Sequence, residues 1–144
     1  MNDGSKIPGR QTRPSRQEGM QAIMATILIV EDSPDNMKLF TTLLTLRQHT
    51  VVPLTSGEGL LAAVAESRPD LILMDIQLPG RDGLELVREI RGSPHAAVRV
   101  VALTAHAMAG DRERALEAGF DGYIAKPIDI RSFPDQVARE LDSR

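Results

Sequence analysis

The sequence predicts an α/β domain: a five-stranded parallel sheet covered by helices on both faces. Three observations carry this. Short apolar, β-branched runs recur five times and alternate with segments of helical periodicity. Three of those runs are apolar at successive positions, as strands buried on both faces are. Apolar residues make up 42% of the chain but aromatic residues only 3%, so the core must be built from Leu, Ile, Val, Ala and Met. That usage suits helices packed on a parallel sheet better than an aromatic stacking platform for nucleic acid.

Residues 1–25 stand apart. They hold Lys6, Arg10, Arg13 and Arg16 against Asp3 and Glu18, with two prolines and little that could be buried. They read as a disordered tail or linker, and residues 26–144 as the folded domain. The tail carries +2, which leaves −5 of the chain's net −3 on the rest, so no bulk charge draws the domain to DNA or acidic membranes. The apolar stretch Ala22–Val30 is too short to span a membrane, lacks a convincing cleavage site for a signal peptide and runs straight into Glu31-Asp32. Met20 and Met24 are alternative translation starts. The chain has no cysteine, which excludes disulfides, zinc–thiolate sites, iron–sulfur clusters and cysteine nucleophiles, and fits a cytoplasmic location.

The first strand is Thr26–Val30, followed by a helix over Asp35–Gln48 with Met37, Phe40, Leu43 and Leu44 at helical spacing. Pro34 suits the first turn of that helix, with Asp32 or Ser33 as its cap. The second strand is Thr50–Leu54. Its Pro53 cannot donate a ladder hydrogen bond, so this strand belongs at an edge. A helix over Glu58–Ser67 follows, then the third strand Leu71–Asp75 and a helix over Leu84–Arg91 started by Asp82-Gly83. The fourth strand Val98–Leu103, a helix over Asp111–Ala118, the fifth strand Gly122–Ala125 and a helix over Ser132–Asp142 complete a (βα)5 unit. Gly92 and Gly119 are placed as helix stops. With the second strand outside, the expected order is the flavodoxin-like, doubly wound 2-1-3-4-5.

Ligands of such sheets bind beyond the carboxyl ends of the strands. There the chain puts Glu31-Asp32, Asp75, Thr104 and Lys126-Pro127. One polar residue closing a strand is usually a turn former. Three carboxylates, a hydroxyl and an ammonium on one edge instead form a set suited to phosphoryl transfer onto a carboxylate. Clustered carboxylates need a cation, and Mg2+ takes oxygen ligands from two or three acidic residues. Lys126 would shield incoming phosphoryl oxygens, Asp75 would attack phosphorus, and Thr104 would donate a hydrogen bond to the product.

Ile27-Leu28-Ile29-Val30-Glu31-Asp32, Leu71-Ile72-Leu73-Met74-Asp75 with Leu78-Pro79-Gly80, Leu103-Thr104-Ala105 and Tyr123-Ile124-Ala125-Lys126-Pro127 together closely resemble the receiver domain of two-component response regulators. The resemblance covers about Thr26 to Leu141. Its finer flavour is that of single-domain cell-division regulators and of receivers carried on hybrid histidine kinases. It implies that Asp75 is the phospho-acceptor, that Asp32 and, through water, Glu31 hold Mg2+ together with Asp75, and that the Gln77 backbone carbonyl completes the protein ligands. It implies that Thr104 and Tyr123 form the switch, that Lys126 binds the phosphoryl group and that the Lys126-Pro127 peptide is cis. Gln77 and His106 fall at positions that modulate phosphate lifetime; an exposed loop histidine is the plainer reading of His106. His49 and His95 read as polar turn residues, with nothing to suggest metal ligation.

The implied partners are a histidine kinase or histidine phosphotransfer protein, and a downstream protein reached through the face of the fourth helix, fifth strand and fifth helix. The implied state is a monomer or a weak phosphorylation-dependent dimer, with no direct DNA binding and no turnover beyond its own phosphoryl transfer and slow dephosphorylation. A stand-alone regulator without an output domain is the expectation, and a receiver segment of a hybrid kinase the alternative. An aspartate-nucleophile phosphatase is a remote alternative, because that chemistry usually wants an Asp where Gln77 stands. A constitutive binding module is a third, and the intact set of chemical positions speaks against it.

Overall fold

The computed structural model describes residues 24–105 and 109–143. The tail reading for residues 1–23 and the role given to His106 therefore lie outside the described residues. Strands β1 (Thr26–Val30), β2 (Thr50–Leu54), β3 (Leu71–Asp75), β4 (Arg99–Thr104) and β5 (Gly122–Ala125) form one sheet in the order β2-β1-β3-β4-β5, with every pair parallel. Helices α1 (Pro34–Thr45), α2 (Leu60–Ser67), α3 (Gly83–Arg91), α4 (Asp111–Ala118) and α5 (Phe133–Asp142) connect or follow them. This is the expected 2-1-3-4-5 sheet, with Pro53 on the outer strand opposite Ile29.

The period-two rule assigns the sheet's two faces. Leu28, Val30, Ile72, Met74, Val100 and Ala102 face a core completed by α2, α3 and α4. Their neighbours Ile27, Ile29, Leu71, Leu73, Val101 and Leu103 face α1 and α5. In that second layer the Phe40 and Phe133 rings stack at 5.3 Å, a compensation for the scarcity of aromatics elsewhere.

Local chemistry sets the helix ends. The Ser33 hydroxyl accepts from the Asn36 N–H at 3.2 Å with Pro34 in the first turn, so Ser33 and not Asp32 caps α1. Asp82 caps α3 by accepting from the Leu84 N–H at 2.9 Å. α1 ends at Thr45, three residues before its apolar spacing suggests, because the chain must turn through Gln48 at φ 69° to enter β2. β4 is shifted one residue toward its carboxyl end, so Thr104 belongs to the strand. The ordered fold also takes in Ala25, which is buried and accepts from the Thr50 N–H at 2.8 Å.

At the amino-terminal edge of the sheet Arg91 is a tie between elements. Its guanidinium donates to the carbonyls of Gly119 (2.9 Å), Ala96 (2.8 Å) and Val98 (2.5 Å) and to Asp121 Oδ2 (2.7 Å). The same Asp121 oxygen accepts from the Val100 N–H at 2.9 Å. Gly119 sits at φ 123°, where an added Cβ would come within 3.0 Å of Arg91 Cγ. Arg91→Ala removes the donor that three backbone carbonyls share and leaves Asp121 to the Val100 N–H, so it should destabilise the fold by about 1–3 kcal/mol. The check is a lower urea midpoint at unchanged slope; an unaltered midpoint would contradict it.

Candidate functional site

Parallel register brings the strand ends to one line. Asp75 lies opposite Leu103 and Thr104 opposite Ala125. Backbone bonds extend the ladder past the strands: Glu31 N–H to Leu54 O at 3.0 Å, Ile76 N–H to Leu103 O at 3.0 Å and Lys126 N–H to Thr104 O at 2.7 Å. Glu31, Asp75, Thr104 and Lys126 are thus placed by sheet geometry.

The charged centre is buried. Glu31 is 1% exposed and Asp75 4%, while Asp32 is exposed at the rim. The Lys126 ammonium lies 2.8 Å from Asp75 Oδ2 and 3.0 Å from Glu31 Oε1. Burial pulls that ammonium's pKa down, but hydrogen bonds and charge from Asp75 and Glu31 more than reverse this, and the net shift is upward. Lys126 is therefore a fixed cation. The Lys126–Pro127 peptide is cis.

Backbone donors orient both buried carboxylates. The Gln77 N–H donates to Asp75 Oδ1 at 2.8 Å, and the Ser33 N–H donates to Glu31 Oε2 at 3.0 Å. Gly83 closes the loop beneath Asp75: its N–H reaches Ile76 O at 2.9 Å, and a Cβ there would lie 2.7 Å from Ile76 Cα. The loop itself is a small antiparallel ladder, Gln77–Leu78 against Arg81–Asp82, turned through Gly80 at φ 82°.

The residues fit a divalent cation. Glu31, Asp32 and Asp75 each offer a carboxylate oxygen, all within 4.8 Å of one another. Glu31 Oε1 is fully buried and, although Lys126 is at ion-pair distance, has no hydrogen-bond partner of good geometry. A buried carboxylate oxygen with capacity beyond its ion pair to Lys126, facing two further carboxylates, is what a hard, oxygen-preferring ion satisfies. Beside Gln77 and Thr104 opens a cleft of about 420 Å³ that continues to Asp111 and Arg114 of α4.

Glu31, Asp32, Asp75, Gln77, Thr104 and Lys126 are brought together at this sheet edge, and Tyr123 lies on the neighbouring strand β5. Thr104 is buried at 3% on the strand next to Asp75. Tyr123 is half-buried and packs against the core layer under α4. Burial, followed by the Asp111 charge, raises its phenol pKa. The sequence reading missed three things: the backbone donors from Gln77 and Ser33, the steric role of Gly83, and His49, which is buried and not a turn residue in solvent. Only Asp82-Gly83 left a trace in the sequence, as a helix start. The two backbone donors each bond a carboxylate two residues earlier, a local turn that residue types alone do not announce, whereas the burial of His49 depends on Ala25, 24 residues away.

Comparison with known proteins agrees with this geometry. The profile of the response regulator receiver domain matches residues 27–138. A polar-differentiation response regulator, DivK, from Brucella anthropi is 40% identical over 117 residues, covering 81% of this chain and 95% of that protein. A hybrid signal transduction histidine kinase of Dictyostelium discoideum is 41% identical over 131 residues, 85% of this chain but 8% of the kinase. Among solved structures, the receiver domain of a sensor histidine kinase from Pseudomonas aeruginosa PAO1, with magnesium coordinated in its active site cleft, aligns with TM-score 0.74 at 35% identity. That alignment covers 83% of this chain and 99% of that one. Among the described residues, no helix is long and apolar enough to cross a membrane.

Proposed function

The chain belongs to the response regulator receiver family, and from that premise we propose that it takes a phosphoryl group onto Asp75 and signals by protein–protein contact. The donor is a histidine kinase or a histidine phosphotransfer protein, the kind of partner a receiver implies. The observation that carries the reading is the buried Glu31–Lys126–Asp75 constellation, with Asp32 beside it at the rim.

Each residue has a task. Glu31, Asp32 and Asp75, with the Gln77 carbonyl, would hold Mg2+. A bound Mg2+ supplies charge to neutralise the carboxylates and the phosphoryl oxygens. An Asp75 carboxylate oxygen forms the new O–P bond as the P–N bond of the donor phosphohistidine breaks, and the histidine nitrogen keeps the bonding pair. The Gln77 N–H holds the Asp75 carboxylate in one orientation. Lys126 moves its ammonium from the carboxylates to the transferred group, and Thr104 donates a hydrogen bond to it. An aspartyl phosphate carries nearly two negative charges where the carboxylate carried one, so Thr104 and Lys126 are drawn toward it. Tyr123 then fills the space Thr104 leaves, which biases the face of α4, β5 and α5. A tenfold population shift needs about 1.4 kcal/mol, within reach of one charge-assisted hydrogen bond.

A stand-alone regulator is the favoured setting, because the match covers nearly all of the Brucella regulator. The match to the Dictyostelium kinase supports the alternative, a receiver within a hybrid kinase. Gln77 and His106 would tune phosphate lifetime.

Tyr123 offers a direct test, since the chain has one Tyr and no Trp. Beryllofluoride with Mg2+ should change the tyrosine fluorescence of the wild type and leave Asp75→Ala unchanged. An equal change in both proteins, or in neither, would defeat the proposal.

A further inference from the structure

We propose that His49 is an acid-sensitive latch at the foot of β1: its neutral imidazole holds the Ala25 N–H, and protonation releases that amide. His49 is 7% exposed and sits at the turn between α1 and β2. Its Nδ1 accepts from the Ala25 N–H at 3.2 Å, which places the ring proton on Nε2. The imidazolium has no acceptor nitrogen, so the second proton converts this contact into two donors facing each other.

The next residue is held differently. Thr26 N–H donates to Asp70 Oδ2 at 2.9 Å, from the turn between α2 and β3. The ladder from Ile27 to Val30 is also paired on both sides. The latch therefore governs the Ala25 amide, not the strand. Two charged groups face the imidazole. Arg47, on the α1–β2 turn, disfavours the imidazolium, and Asp70 favours it. Burial is the largest influence, followed by Arg47, and together they pull His49 below the ordinary 6.5. A histidine lowered on folding contributes its full stability above 6.5 and loses it as pH falls through the folded value. The latch is closed at neutral pH and opens on the acid side.

Amide exchange on the full chain, corrected for intrinsic rates, tests this. Between about pH 7.5 and about pH 5, Ala25 protection should fall roughly tenfold or more while Ile29 protection holds. In His49→Asn an amide oxygen replaces Nδ1 and does not titrate, so Ala25 should stay protected across the range. Flat wild-type protection, or an equal fall in His49→Asn, would overturn the latch. Should that variant lose Ile29 protection, the 15N spectrum of the wild-type imidazole decides. An unprotonated Nδ1 at neutral pH that gains a proton as Ala25 loses protection supports the latch; a proton on Nδ1 at neutral pH overturns it.

Discussion

Lys126→Ala is expected to slow phosphoryl uptake by about 10²–10³-fold, the usual effect of removing one preorganised donor from a site of developing negative charge. The same change should destabilise the protein without metal by about 3 kcal/mol, because Glu31 and Asp75 stay buried after losing their cation. The two effects respond oppositely to Mg2+. A divalent ion bound to Glu31, Asp32 and Asp75 substitutes for the ammonium's charge, so it should restore much of the lost stability. It cannot replace the donor that follows the phosphoryl group, so the rate should stay low. Urea unfolding with and without Mg2+, beside single-turnover phosphorylation, separates them. Unchanged stability in the variant without metal would show that Lys126 does not balance the carboxylates.

Gly83→Ala should do comparable damage by steric means. The added methyl would meet Ile76 Cα at 2.7 Å and the carbonyl oxygens of Asp75 and Ile76 at 3.0 Å. These are backbone atoms, so relief requires the Asp75–Ile76 segment to move. We expect a loss of about 2–3 kcal/mol, at the upper end for overpacking a tight site. Displacing Asp75 relative to Glu31 should also weaken Mg2+ binding at least about tenfold, since Mg2+ demands near-ideal ligand geometry. Calorimetric Mg2+ titration of the folded variant is the check. Wild-type affinity would mean that Gly83 serves only as the start of α3.

Much of this architecture was legible in the residues because each signal is local. Pro53 places its strand at the edge by lacking an N–H. The unbroken apolar run Leu71–Met74 marks a strand covered on both faces. Polar residues directly after such runs must gather on one edge of a parallel sheet, so the sequence alone groups Glu31, Asp75, Thr104 and Lys126. What escaped is in large part non-local. His49 looks like a turn histidine until Ala25, 24 residues away, puts an N–H on its Nδ1. Arg91 enters the sequence reading only as the last residue of a helix, and its partners in the α3–β4 loop, Gly119 and Asp121 lie up to 30 residues away. The end of α1 was missed because its apolar spacing continues beyond the residue where the backbone must turn.

This sheet edge is expected to accept a phosphoryl group on Asp75. Incubating the full chain with Mg2+ and a small phosphodonor, then measuring intact mass and mapping the modified residue, tests it most directly. The expected result is one added phosphoryl group, dependent on Mg2+, released by hydroxylamine as an acyl phosphate is, located at Asp75 and absent from Asp75→Ala. A phosphoryl group that persists in Asp75→Ala, or no modification of the folded, Mg2+-bound wild type, would contradict it.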